Sequence, residues 1–206
     1  MGFNGFTEDD FNVFKIDGLE SRMDGIITHI RPKLEFLGNH FASALSITAG
    51  EELFAHVAKH ARRTKNPPND TWVAFAANPR GYKMVPHFQI GLWETHLFVW
   101  FAVIYECQGK QSIGKAFINN LTEIHQSIPG NFVWSEDHTK PGATKHSSLS
   151  KDDLEASFQR LLDVKKAEIL CGYHFDRDSV IKMGPSELLK NIEDVFKKIV
   201  PLYKLS

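Results

Sequence analysis

The sequence predicts an α+β domain, an antiparallel β meander with at least one additional strand packed against N-terminal and C-terminal helices. Three observations carry that prediction. Helical apolar periodicity dominates residues 6–63 and the C-terminal third, three aromatic-rich β-type runs lie together within residues 72–105, and a further alternating run follows at 168–175. Strands that cluster in sequence and are joined by short turns pair with one another, and amphipathic helices on either side of them must bury their stripes against that sheet. With 206 residues, 42% hydrophobic and 24% charged, the chain is long enough for one core. It contains no repeat, low-complexity tract or linker, so residues 1–206 read as a single domain.

The first element starts at Phe6-Thr7-Glu8-Asp9-Asp10-Phe11, where Thr7 can cap the amide of Asp10 and Phe6 can close on Phe11. A short helix to about Phe14 follows. Asp17 and Glu20 repeat the capping logic, and Leu19, Met23, Ile26, Ile27, Ile30, Leu34, Leu37, Phe41 and Leu45 then hold a helical stripe. Proline removes a backbone donor and crowds the turn before it, so this long element should be kinked or split near Pro32. Thr48 and Glu51 form a third capping pair, which predicts a helix through Leu53, Phe54 and Val57 to about Arg63, ended by Asn66-Pro67-Pro68-Asn69-Asp70.

Residues 72–77, 85–93 and 97–105 read as three strands, the last two joined by a tight turn at Glu94-Thr95. In the third, both alternating sets are apolar, so both of its faces should be covered. In the second, His87, Gln89, Gly91 and Trp93 alternate with Phe88, Ile90 and Leu92. That polar set should face a cavity, a groove or water. A helix carrying Ile113, Phe117, Leu121, Ile124 and Ile128 follows, then a short strand near Phe132 and Trp134, then a polar loop over 135–148. A loop of that length in a compact domain is mobile or serves a site. A helix over 150–166, the strand over 168–175 and a final helix opening at Gly184-Pro185 complete the chain.

Composition excludes some functions. The 24 Lys and Arg against 25 Asp and Glu leave a net charge of -1, so no global field draws the molecule to nucleic acid or an anionic membrane. The longest apolar run, residues 97–105, is about half of a membrane span. The first ten residues lack a basic segment followed by an apolar one, which points to a cytoplasmic protein. Cys107 and Cys171 fit no zinc or CxxC spacing and read as structural thiols.

The strings Glu51-Glu52-Leu53-Phe54-Ala55-His56-Val57-Ala58-Lys59-His60-Ala61-Arg62-Arg63-Thr64, Asp70-Thr71-Trp72-Val73-Ala74-Phe75 and Pro86-His87-Phe88-Gln89-Ile90-Gly91-Leu92-Trp93-Glu94-Thr95-His96 resemble the YktB family of uncharacterised proteins from bacilli and relatives. Phe3-Asn4-Gly5-Phe6-Thr7 and the segment from Phe132 to Pro141 resemble it as well. The resemblance implies a single α+β domain from a Gram-positive cytoplasm and brings no catalytic residue or cofactor.

Candidate chemistry concentrates around residues 56–83. Lys59, Arg62, Arg63, Lys65, Arg80 and Lys83 stand there against Asp70 alone, a formal +5 in a chain whose total is -1. Cations in a last helical turn also complement the helix dipole, which accounts for part of the cluster without a ligand. His138, Lys140, Lys145 and His146 in the polar loop could fold over the same region. An anion-binding groove is therefore expected from His56, Lys59, His60, Arg62, Arg63, Arg80, His87, Gln89, His138, Lys140 and Lys145. His56 and His60 also have the spacing to share a metal ion with Asp70, His87 or His138 as third ligand. Lys59 and Arg63 would repel a cation there and the zinc-protease glutamate is missing, so no metal or cofactor is expected. Trp93 is the tryptophan most plausibly exposed, and Trp72, Trp93, Trp100 and Trp134 in strands read mainly as packing.

No Gly-x-Ser-x-Gly elbow or glycine-rich phosphate loop occurs. His146-Ser147-Ser148 is half of a two-histidine phosphoesterase signature, and His87-Phe88-Gln89 lacks the other half's hydroxyl. The expected function is a cytosolic binding protein for a phosphorylated or other anionic small molecule. An unrecognised hydrolase and a nucleic-acid-associated regulator are the alternatives.

Overall fold

The computed structural model describes residues 2–206. Strands β1 (Phe54–Val57), β2 (Asp70–Ala76), β3 (His87–Trp93), β4 (His96–Val103), β5 (Val133–Ser135), β6 (Thr144–Lys145) and β7 (Ile169–Asp176) form one sheet in the order β1-β2-β3-β4-β7-β5-β6, with every pairing antiparallel. The meander is the run β2-β3-β4, and β7 extends it as the sequence predicts. Its doubly apolar strand, β4, is at the centre.

The helices are α1 (Glu8–Asn12), α2 (Leu19–Gly25), α3 (Arg31–Ala49), α4 (Lys110–Asn119), α5 (Leu121–Ser127), α6 (Lys151–Asp163), α7 (Arg177–Lys182) and α8 (Pro185–Lys204). Their apolar residues join Val73, Phe75, Phe88, Ile90, Leu92, Val99, Phe101 and Cys171 in one large core. All of these strand residues point to one face of the sheet. The opposite face carries a second, smaller cluster of Trp93, Phe98, Trp100, Ala102, Ile104, Val133 and Leu170, with no helical residue in it. The protein is thus two layers, helices on sheet, and the outer sheet face is covered by loops.

One local expectation changes. Residues 51–63 are not helical. Helix α3 runs on through Thr48, whose hydroxyl donates back to the Ala44 carbonyl at 2.8 Å, and stops at Gly50 in the left-handed conformation. Leu53 to Val57 is too short an apolar run to sustain a helix, and Phe54–Val57 adds to the open edge of β2 instead. Near Pro32 the long element divides as expected: a single π-helical turn, Ile26–Ile30, links α2 to α3, and Pro32, which has no amide to donate, is the second residue of α3. The Thr7 to Asp10 start is as expected. Asp10 accepts from the Thr7 amide at 2.6 Å and from Lys33 Nζ at 2.5 Å.

Glycines let the outer face lie flat. Gly91 is directly opposite Phe98, and Gly172 is opposite Trp100. A Cβ at Gly91 would meet the Phe98 ring, and one at Gly172 would approach the Trp100 ring and the Val99 carbonyl. Each aromatic ring lies across its glycine partner, which seals that face without a helix. No helix among the described residues is long and apolar enough to cross a membrane.

Candidate functional site

On the outer face the loops leave a cleft of about 500 Å³. Its floor and walls are Trp72, Trp93, Tyr82 and Asp70, and its rim carries Lys59, His60, Arg62, Arg63 and Lys83 on one side and His138 and Thr139 on the other. The sheet dictates the floor. Asp70 pairs with Trp93 and Trp72 with Gly91 across β2 and β3, so their side chains rise on the same face. The missing side chain at Gly91 makes room for the Phe98 ring beside the Trp72 Cβ.

The loops bring the rest. After β1 the chain turns at His60, the one non-glycine residue with positive φ (51°) among the described residues. Its imidazole Nε2 lies 3.0 Å from the Thr71 hydroxyl and its ring meets Trp72 edge-on. That turn leaves Lys59, Arg62 and Arg63 exposed on the rim, with no carboxylate partner among the described residues. Lys83 by contrast lies 3.4 Å from Glu106. Tyr82 accepts a hydrogen bond from Trp72 Nε1 at 3.0 Å, which fixes both rings in the wall.

The 135–148 segment is tied down by hydrogen bonds. Asp137 accepts from the Thr139 amide at 2.9 Å and lies 3.1 Å from Lys140 Nζ. His138 is held by Glu168, which immediately precedes β7 and is only 5% exposed. One Glu168 oxygen accepts from the His138 amide at 2.9 Å, the imidazole Nδ1 lies 2.8 Å from the carboxylate, and the Tyr105 amide donates to it at 3.1 Å. Burial pulls the His138 pKa down, but the hydrogen bond and charge of Glu168 outweigh it and the net direction is up. Nδ1 is thereby committed to Glu168 and Nε2 is left for the cleft.

Asp70 is the exception in this basic setting. Burial raises its pKa to about 7, with His138 and Arg63 pulling only partly the other way. At neutral pH it is divided between acid and carboxylate. His60 shows the same environment from the other side: burial, then the charges of Arg63 and Arg31, hold its pKa down at about 4, so it is neutral.

Of the residues named from sequence, the cleft gathers Lys59, His60, Arg62, Arg63 and His138. It does not gather the others. His56 lies on edge strand β1 with Nε2 2.9 Å from the Asn78 carbonyl, and Arg80 is exposed in the following turn. Lys140 is exposed beside Asp137, and Lys145 is exposed on β6 at the far edge of the sheet. His87 and Gln89 do not face a groove. Both are buried, with His87 Nδ1 donating to the Val85 carbonyl at 2.9 Å and Nε2 accepting from Gln89 at 2.9 Å. Residues that sequence reasoning left out of the site are Trp72, Tyr82, Lys83, Thr139, the carboxyl of Asp70 and the buried Glu168. The alternation that puts Asp70 and Trp72 on the face of Trp93 was readable. The Glu168 to His138 contact, thirty residues apart, was not.

Among the described residues no three His, Cys, Asp or Glu side chains are grouped to hold a metal ion. The chain matches the family described as "Domain of unknown function (DUF1054)" over residues 6–203. It belongs to the DUF1054 family. A UPF0637 protein of Bacillus licheniformis is 55% identical, over 98% of this chain and 95% of that protein. One from Bacillus mycoides is 52% identical over 100% and 99%. These relatives agree with the resemblance to the YktB family. Among solved structures, a conserved hypothetical protein from Pyrococcus furiosus is similar at a TM-score of 0.41 and 11% identity, covering 90% of this DUF1054 chain and 99% of that one.

Proposed function

We propose that this DUF1054 protein is a cytosolic binding protein for a phosphorylated or otherwise anionic small molecule with a flat apolar part, and that the ligand enters the cleft between Arg62, Arg63 and His138. One observation carries the reading: three cations without a carboxylate partner among the described residues, Lys59, Arg62 and Arg63, meet His138 from a distant segment above a floor of Trp72 and Trp93. Unpaired cations over aromatic walls suit an anionic head group and a planar body. The size of the cleft, about 500 Å³, suits a small molecule rather than a nucleic-acid strand. The free, buried thiols of Cys107 and Cys171 accord with a reducing compartment.

Tryptophan fluorescence offers the test, because Trp72 and Trp93 line the cleft. Titration with nucleotides, sugar phosphates, inorganic phosphate and a short single-stranded oligonucleotide should give a saturable change with at least one small anion. Arg62→Ala with Arg63→Ala should weaken it at least about tenfold, as expected for two charge-assisted hydrogen bonds. Unchanged affinity in the double variant, or no response to any small anion, overturns the reading. Preferential, strongly salt-dependent binding of the oligonucleotide would move the assignment to nucleic acid.

A further inference from the structure

The cleft contains more than binding requires. A carboxylate behind the histidine favours the imidazolium an anion wants but also fixes the ring's direction, and a second carboxyl group on the floor opposes an anionic ligand. Both are present. Glu168 is buried and its carboxylate is used up by His138 Nδ1, the His138 amide and the Tyr105 amide, so it fixes the tautomer and direction of the ring. With Nδ1 carrying the proton toward Glu168, Nε2 is the basic atom, and it makes no hydrogen bond with the described residues. Asp70 lines the same cleft and makes no salt bridge with the described residues.

We propose that the cleft hydrolyses phosphate esters by general acid–base catalysis, with His138 as the base, Asp70 as the acid and Glu168 as the positioning residue for His138. The proposal rests on the anion-binding reading above and adds turnover to it. Nε2 of His138 removes a proton from a water molecule while the water oxygen forms a bond to phosphorus. The phosphorus–oxygen bond to the leaving alcohol breaks as Asp70 gives its proton to that oxygen. The products are the alcohol and a phosphate carrying one fewer ester group, and the imidazolium proton returns to the Asp70 carboxylate through solvent. No oxidant, metal ion or further reactant enters this balance. Lys59, Arg62 and Arg63 would hold the non-bridging oxygens, where charge accumulates in the transition state.

Other features point the same way. His60 stands in the left-handed conformation on the cleft wall, a cost that packing must offset and that gathers at functional sites. The raised pKa of Asp70 keeps a share of it protonated at neutral pH, as an acid must be, and the Glu168 hydrogen bond and charge raise that of His138. The rate should therefore fall on the acidic side as His138 takes up a proton and on the alkaline side as Asp70 loses its own.

The probe is bis(p-nitrophenyl) phosphate, an anionic diester with flat rings. Binding is read by tryptophan fluorescence and turnover by nitrophenolate release. The wild-type chain should bind and hydrolyse it, His138→Ala should lower kcat by about 100-fold or more, and added imidazole should restore part of the loss. His138→Ala retains the backbone amide that donates to Glu168, and near-UV circular dichroism reports whether it folds. Glu168→Gln should lower kcat and move the acidic limb of the pH profile to lower pH, because the charge that raises the His138 pKa is gone. A merely structural role for Glu168 would leave that limb in place. Binding without turnover overturns the catalytic proposal and leaves the anion site intact, as does turnover that His138→Ala does not change. Failure of the diester to bind overturns the proposal, and with it the reading on which it rests if the small anions above also fail.

Discussion

The two faces of the sheet are buried by different means. The helix-covered face is wholly apolar along the centre, where Phe88, Ile90, Leu92, Leu97, Val99 and Phe101 meet α3 and α8. The outer face has the same strands and hydrogen bonds, yet it interleaves aromatic rings with His87, Gln89, His96 and His174 and has loops for a lid. Polar groups are expensive to bury, and each needs a partner supplied by the fold. His87 and Gln89 satisfy one another, whereas Nε2 of His96 and of His174 are buried without a partner. A face built only for stability would not contain them. The difference teaches that the helix face is the foundation and that the outer face has traded apolar packing for polar positioning.

Truncating the foundation should have the largest effect. Phe101 is fully buried, with its ring against those of Phe88, Phe117 and Tyr203. Phe101→Ala should therefore destabilise the fold by about 4 kcal/mol in urea denaturation. Ligand affinity per folded molecule should not change, because the cleft lies on the other side of the sheet. A large loss of affinity in the folded fraction would show that the two faces are not independent.

Acidification should break the outer face first. Burial lowers the His87 pKa to about 4, against 6.5 in the unfolded chain. Between those values the unfolded state takes up a proton that the folded state refuses, so stability falls as pH falls from 6.5 toward 4. His87 alone should contribute about 1.4 kcal/mol per pH unit to that slope, or roughly 3 kcal/mol between pH 6.5 and 4.5. His87→Asn, which cannot titrate, should lose that part of the slope in a series of denaturation curves across the range. An identical slope in the variant would assign the acid sensitivity to other groups.

The same contrast explains what could be read in advance. The central strands were legible because period-2 alternation with β-branched and aromatic residues is strong over seven or eight residues, and β4 announced its double burial by being apolar at every position after His96. Residues 51–63 were not, because Leu53 to Val57 fits a helix stripe and a strand equally well and the decision is made by the free edge of β2, a tertiary partner. The cationic rim was visible as a local excess of charge in a neutral chain. The burial of His87 and Gln89 was not, since a polar alternate set reads the same whether it faces water or an aromatic cluster from distant strands. Glu168 looked like an ordinary strand-start acid, and only the fold reveals that a loop residue thirty positions earlier lies against it.

Asp70 gives the smallest effect and the most discriminating one, because its sign is opposite. Burial raises its pKa from 3.8 to about 7. Below 3.8 the folded and unfolded states are both protonated and the group costs nothing. As pH rises toward 7 the unfolded chain releases its proton while the folded chain still holds one, so stability declines and the loss is complete above the folded value. The full shift corresponds to about 4 kcal/mol at pH 8, and water entering the open cleft screens this to nearer 2 kcal/mol. Asp70→Asn keeps the shape and removes the charge. It should be more stable than the wild type by about 2 kcal/mol at pH 8, with the advantage vanishing toward pH 4 in denaturation curves compared across that range. Loss of diester turnover in a variant that folds more tightly would mark Asp70 as retained for what it does in the cleft. A variant that is less stable at pH 8 would mean that the carboxylate holds the loops together, and the division between a supporting face and a working face would then fail at its floor.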